Sequence, residues 1–273
     1  MIQDTPSPAV AGPCDSPADA HAVYVYAVCR PEGPPDLSGP AGVTPESPLA
    51  ALAMGPELVA VVQTVRAADF TDEAWLARAA DAPELERYAR AHHDVVCAVA
   101  ARYPTVPLPL ATLYLDEQRA RDALTRESGR FHAALERTAG HAEWGVKVYV
   151  ADAPARPDDG AAPRRAAPGA GRAYLDRKRS QRDRRERHRA DGLRIAALVD
   201  ADVGGLATAS RRLPPHAAHA PDERRTQVLN ATYLVARDRA AELARLARSL
   251  AERTGAQVEL SGPWVPYSFV GEV

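Results

Sequence analysis

A chain of 273 residues, 46% hydrophobic and 26% charged, can bury one large core or two ordinary ones and has the composition of a globular protein. Its formal charge is −2, from 34 basic and 36 acidic residues, which excludes an overall bias toward nucleic acid or a membrane surface. Cys14, Cys29 and Cys97 form no C-x-x-C pair and no even framework, which excludes a disulfide scaffold and points to a cytoplasmic setting.

The elements follow in chain order. Residues 1–20 lack a basic n-region and an apolar h-region, and carry Pro6, Pro8, Pro13 and Pro17, so they read as a disordered leader and not as a signal peptide. His21 to Cys29, HAVYVYAVC, is a nearly continuous β-branched and aromatic run, expected as a strand buried on both faces. After a Pro/Gly-rich loop, Leu49–Met54 and Leu58–Val65 read as a hairpin around Gly55-Pro56. Asp69 or Thr71 can cap a short helix to Ala79. Pro83 opens a longer helix whose stripe is Leu85, Tyr88, Val95, Val96 and Val99. The two prolines of TVPLPLATLY, Thr105 to Tyr114, restrict that stretch to an edge strand or an irregular segment. Asp116 then caps one helix to about Thr138, ended by Gly140.

Trp144 to Val150 is a second strong strand and opens a second domain. Residues 151–171 read as a flexible loop and Ala173 to Ala201 as a long helix, charged first and apolar later. Pro214, Pro215 and Pro221 mark a further loop. Val228–Ala236 is a strand, Asp238 caps a helix to about Arg253, Gly255 stops it, and Gln257–Ser261 is the last strand. The expectation is α+β with two domains, residues 21–140 and 141–273. The second is expected to be ferredoxin-like, with a long charged helix and one of the usual four strands unplaced.

Chemistry-bearing patterns are scarce. His93 and Cys97 stand i, i+4 on a helix, but a metal needs at least one more ligand and none is nearby, so a packed Cys beside a His is the better reading. His216 and His219 read as solvated loop residues. No G-x-S-x-G, P-loop, G-x-G-x-x-G or H-E-x-x-H occurs, so no enzyme and no cofactor is expected.

The run from Arg172 to Arg189 carries nine basic and three acidic residues, a balance of +6. As a helix it extends ~27 Å. It reads as a solvated arm or a helix docking on an acidic partner, with Arg177, Arg179 and Arg184 among its candidate contacts. An RNA-binding helix is the alternative, although Tyr174 is its one aromatic for stacking. Near the end, LSGPWVPYSFV gathers Trp264, Tyr267 and Phe269 without a charge in a chain that is 5% aromatic. Either these rings close the fold or they offer an apolar surface to a partner. The direct exit from a strand and the turn expected at Pro263 favour closing the fold.

Four segments carry a resemblance: VYVYAV (Val23–Val28), EWGVKVYV (Glu143–Val150), AYLDRKR from Ala173, and LNATYLV followed by SGPWVPYSF. Together, with ARAHHDVV as a weaker helix motif, they resemble the GvpL/GvpF family of gas vesicle proteins over nearly the whole chain after the leader. Val265 stands where that family usually has a second proline. Leu110-Ala-Thr stands where it tends to carry Arg-Phe-Gly. The resemblance implies two α+β domains, the second ferredoxin-like, and an accessory protein of gas vesicle assembly. It implies as partners the hydrophobic GvpA-type shell subunit and other accessory proteins, whose aggregation it would prevent or whose nucleation it would assist. It implies no nucleic acid, no membrane and no cofactor.

Overall fold

Because Ala22 to Cys29 offers apolar side chains on both faces, the chain's first strand, β1 (His21–Cys29), can run through the middle of a sheet, and all eight of those residues are buried. The computed structural model describes residues 20–152, 170–214 and 225–271. The expected leader, most of the 151–171 loop, and His216 and His219 lie outside them. The chain divides into two compact units between Ala139 and Gly140.

In the first unit β2 (Leu49–Ala53) and β3 (Val59–Arg66) form the expected antiparallel hairpin. Gly55, at φ +134°, makes its turn, and Met54 N–H donates to the Leu58 carbonyl. The sheet order is β2-β3-β1-β4, with β4 at Thr105–Pro107. The next strand, β5 (Leu113–Tyr114), also pairs with β1. The proline-bearing stretch is therefore two short strands interrupted at 108–112, since Pro107 and Pro109 cannot donate to a ladder.

Helix α1 (Asp72–Ala80) starts at Thr71, whose hydroxyl accepts from Ala74 N–H; Asp69 lies instead in a preceding 3-10 turn. Asp81 caps α2 (Ala82–Ala100) through Glu84 N–H, with Pro83 in the first turn. The buried stripe is Tyr88, His92, Val95, Val96 and Val99, while Leu85 is half-buried. The single helix expected from Asp116 is two, α3 (Glu117–Arg126) and α4 (Ser128–Thr138), broken at Glu127. Ser128 and Gly129, both poorer helix formers than the residues around them, follow the break.

The second unit has the order β6 (His141–Ala151), α5 (Ala170–Gly204), β7 (Ala209–Arg212), β8 (Arg225–Ala236), α6 (Ala240–Thr254) and β9 (Gln257–Trp264). Its sheet runs β7-β8-β6-β9, every neighbour antiparallel. Strand β7, read past in the sequence, is the short segment ASRR with no apolar alternation. Alternate residues of β6, from Ala142 through Trp144, Val146 and Val148 to Val150, pack with Val199 and Val203 of α5 and Leu243 and Leu250 of α6. Asp238 does not cap α6: it lies in a 3-10 turn, and Arg239 takes the cap position without a side-chain bond. Gly255, at φ +68°, closes α6 as expected, its N–H bonded to Ala251 O.

Candidate functional site

The C-terminal tail is set by one strand and one buried carboxylate. Strand β9 does not stop at Ser261; it runs through Pro263 to Trp264, which pairs with Glu143 of β6. The turn back expected at Pro263 comes later, at Val265–Pro266. Gly262 is required here: at φ +129°, a Cβ would stand 2.8 Å from the Glu143 carbonyl and 3.1 Å from the Trp144 ring.

Beyond Trp264 the chain forms a 3-10 turn, Tyr267–Phe269. Glu143 holds it. Because Trp144 faces the helices, Glu143 faces the other side of the sheet, where its buried carboxylate accepts from Ser268 N–H at 2.9 Å and Ser268 Oγ at 2.6 Å. Arg211 Nη1 donates to Ser268 O at 3.4 Å. Charge-assisted bonds to both donors of one serine fix the turn more firmly than apolar contact alone. Sequence reading missed Glu143 and Ser268 as partners; the visible signal was a lone acid alternating with the apolar residues of a strand.

The three aromatics separate. Phe269, 8% exposed, is buried with Val265 and Val270, and Tyr267 is half-buried. Trp264 is 48% exposed. The expectation that all three rings close the fold holds for Phe269 and is corrected for Trp264, because the strand that carries it is an edge strand hydrogen-bonded to β6 alone among the described residues.

The basic run lies on α5. Arg179 and Arg184 are exposed, and the Arg177 side chain lies outside the described ones. Five residues apart, Arg179 and Arg184 point about 140° away from each other around the helix, so they share no face. Gly192 of α5 meets Val150 near one end of β6, while the tail meets Glu143 near the other. Seven strand residues, about 23 Å, separate those levels. The aromatic tail and the basic run are two surfaces, not one site.

Other candidates reduce to packing. Cys97 Sγ lies 3.2 Å from His93 Nε2, and burial first, then the Asp94 charge, pushes the thiol up, away from the thiolate a nucleophile needs. Among the described residues no group of three or more His, Cys, Asp or Glu could hold a metal. A cleft of about 230 Å³ at the root of α5 is lined by Val150, Gly192, Ile195 and Ala256, with His188 and Asp191 as its titratable groups. Polar groups in the first unit's core, unread in the sequence, hold loops. Tyr26 Oη donates to Gln63 Oε1, while Gln63 Nε2 donates to the carbonyls of Ala41, Thr44 and Ser47. Around His92, Nε2–H donates to Leu108 O at 3.2 Å, Nδ1 accepts from Tyr24 Oη at 2.9 Å, and Tyr24 Oη accepts from Ala111 N–H at 3.1 Å.

The model of the gas vesicle synthesis protein GvpL/GvpF family matches residues 22–271, nearly the whole chain. The chain belongs to that family. It is 37% identical over 250 residues to gas vesicle protein L of a Streptomyces species, covering 91% of this chain and 92% of that one. Its fold is similar to the crystal structure of gas vesicle protein GvpF from an Anabaena species, with TM-score 0.62, 12% identity, 93% of this chain and 97% of that chain covered. GvpF from Microcystis aeruginosa is similar at TM-score 0.59 and 12% identity, over 92% and 99% of the two chains. The segments that carried the family resemblance fall on β1, β6, the start of α5, β8, and β9 with its following turn. Leu110-Ala-Thr, the departure from the family run, lies in the interruption between β4 and β5, where Ala111 takes φ +62° and its N–H is held by Tyr24. No helix among the described residues is long and apolar enough to cross a membrane.

Proposed function

We propose that this protein is a non-catalytic gas vesicle assembly factor that binds the hydrophobic, GvpA-type shell subunit, keeps it from aggregating and assists nucleation. Membership of the GvpL/GvpF family supports the gas vesicle role. The observation that carries the binding surface is Trp264, half-exposed on a segment whose neighbours are pinned. Phe269, Val265 and the Glu143–Ser268 bonds anchor the tail, so a large ring is presented with little ordering cost on binding. Tyr267, half-buried, borders it.

The strongly shifted titratable groups favour a non-catalytic reading. Tyr24, Tyr26, Cys29, His92 and Tyr233 are each moved toward the neutral form chiefly by burial, inside a core, with the bond to Asp200 adding to the effect at Tyr233. For the second unit we infer a ferredoxin-like sandwich spanning 141–273, with 21–140 as a separate α+β domain. The β-α-β-β-α-β order with sheet order β7-β8-β6-β9 supports it.

A salt series on the purified chain with shell subunit tests the function. Apolar capture holds or strengthens as salt rises. Binding that collapses as salt rises, with RNA bound in preference to subunit, overturns it in favour of the basic helix acting on phosphates.

A further inference from the structure

Helix α5 is 35 residues long, about 52 Å, against about 36 Å for the 11 residues of β6. Where the two cross, a Cβ on Gly192 would stand 3.0 Å from Val228 and 3.5 Å from Val150, next to the last residue of β6. The helix therefore lies on the sheet only from about Gly192 onward. Residues Ala170 to Asp191 extend about 33 Å beyond it. Between 175 and 191 no described side chain is buried.

The buried face over the sheet is Gly192, Ala196, Val199 and Val203, spaced four, three and four. Carried back into the arm, the same spacing falls on Arg189, Arg185, Arg182 and Lys178. One line along the helix is thus apolar over the sandwich and cationic beyond it. The acids Asp183, Glu186 and Asp191 all lie off that line. Arg182 pairs with Glu186 at 2.8 Å across an exposed surface, a bond worth little that a better partner can replace. Arg185 and Arg189 have no ion pair among the described residues. A helix charged merely for solubility interleaves its signs around the cylinder, and like charges at i, i+4 cost it stability. The root is firm: Asp200 of α5 accepts from Tyr233 Oη at 2.6 Å and from the Arg212 guanidinium, and Asp202 pairs with Arg253.

We propose that this cationic seam docks an acidic α-helix of a partner protein, laid along the arm with carboxylates repeating every three and four residues. Charge complementarity selects the occupant. A second copy is disfavoured, because the seam facing itself sets arginine against arginine. Nucleic acid fits less well: Glu186 flanks the seam, and Tyr174 is the one aromatic of the arm on which a base could stack. The proposal does not rest on the tail's role in binding shell subunit, since the two surfaces lie at opposite ends of the unit. Of the arginines named from the sequence, Arg179 lies about a quarter turn off the seam and Arg184 farther round the arm, so neither lies on it.

The test uses the full chain and a fluorescein-labelled 21-residue helical peptide with Glu at four-three spacing in an Ala/Gln background. A peptide of the same composition with scrambled spacing and a 20-nucleotide single strand are the comparisons. The expected result is binding of the spaced peptide at least ~10-fold tighter than the scrambled one, weakening with salt. Arg185→Glu with Arg189→Glu lowers the affinity at least ~10-fold, while Arg187→Glu, on the opposite side of the arm, changes it less than ~2-fold. Circular dichroism melts verify folding, and the helix-favouring pair Arg185→Ala with Arg189→Ala gives the same loss in smaller degree. No binding, equal binding of the scrambled peptide, equal damage from Arg187→Glu, or tighter binding of the oligonucleotide would each overturn the proposal.

Discussion

Phe269 and Trp264 stand five residues apart in one tail, and the structure assigns them opposite roles that truncation separates. Phe269 is 8% exposed, so Phe269→Ala removes nearly a whole buried ring and leaves a cavity in its place. Such truncations cost about 3–5 kcal/mol, and the tail's peripheral position, where the site can partly collapse, places this one near about 3. Trp264 is 48% exposed. If a Trp covers about 200 Å², roughly half of that is buried here, and at about 25 cal/mol/Å² its loss costs about 2.6 kcal/mol as an upper bound, nearer about 2 once the compactness of the unfolded chain is allowed for. Urea unfolding followed by circular dichroism reads the difference as a shift in midpoint at constant slope. Phe269→Ala should lower the midpoint clearly more than Trp264→Ala, and the Trp variant should stay folded at room temperature. Equal losses from the two, or a larger loss from Trp264→Ala, would refute this division of the tail into anchor and displayed ring.

Two further outcomes follow from the first unit's buried polar groups. Burial pushes His92 down to about 4 from its usual 6.5, against the bond to Leu108 O and with the His93 charge adding to the effect. The unfolded chain binds a proton below 6.5 that the folded chain refuses, so this group's contribution is undiminished above pH 6.5. It falls by up to about 3 kcal/mol as pH drops to about 4, then levels; His92→Gln should be less stable at pH 7 yet lack that part of the slope in urea midpoints measured across pH. Gln63→Leu strands the carbonyls of Ala41, Thr44 and Ser47 without their donor, and should cost about 3 kcal/mol or more and expose the 41–47 loop to rapid hydrogen exchange.

The buried strands were legible because their patterns are strong: HAVYVYAVC could only lie inside a sheet, and EWGVKVYV alternates. Thr71, Asp116 and Gly255 announced helix ends by local chemistry, and Pro83 the start of α2. What escaped was decided at a distance. ASRR becomes the fourth strand because β8 offers it an edge, not because its side chains ask for one. The break at Glu127 had a local sign, Ser128-Gly129, that a single helix to Thr138 passed over, and Asp238 fails to cap because it lies inside a 3-10 turn ahead of α6. Trp264 was read as closing the fold from the tail's direct exit from a strand and the turn expected at Pro263; that turn comes later, and no local signal says whether an aromatic on an edge strand is covered. His92 shared the i, i+4 line with Tyr88 and was passed over because a histidine in an apolar stripe finds its partners, Tyr24 and Leu108, only once the strands are in place.

The central claim is that this chain holds shell subunit through an apolar surface. A pull-down with the full chain from cells that make gas vesicles measures it directly, with wild type and the folded Trp264→Ala variant run side by side. The account predicts that shell subunit comes down with wild type, persists through a high-salt wash and is lost with the variant. Recovery of RNA instead, or undiminished subunit with Trp264→Ala, would contradict it.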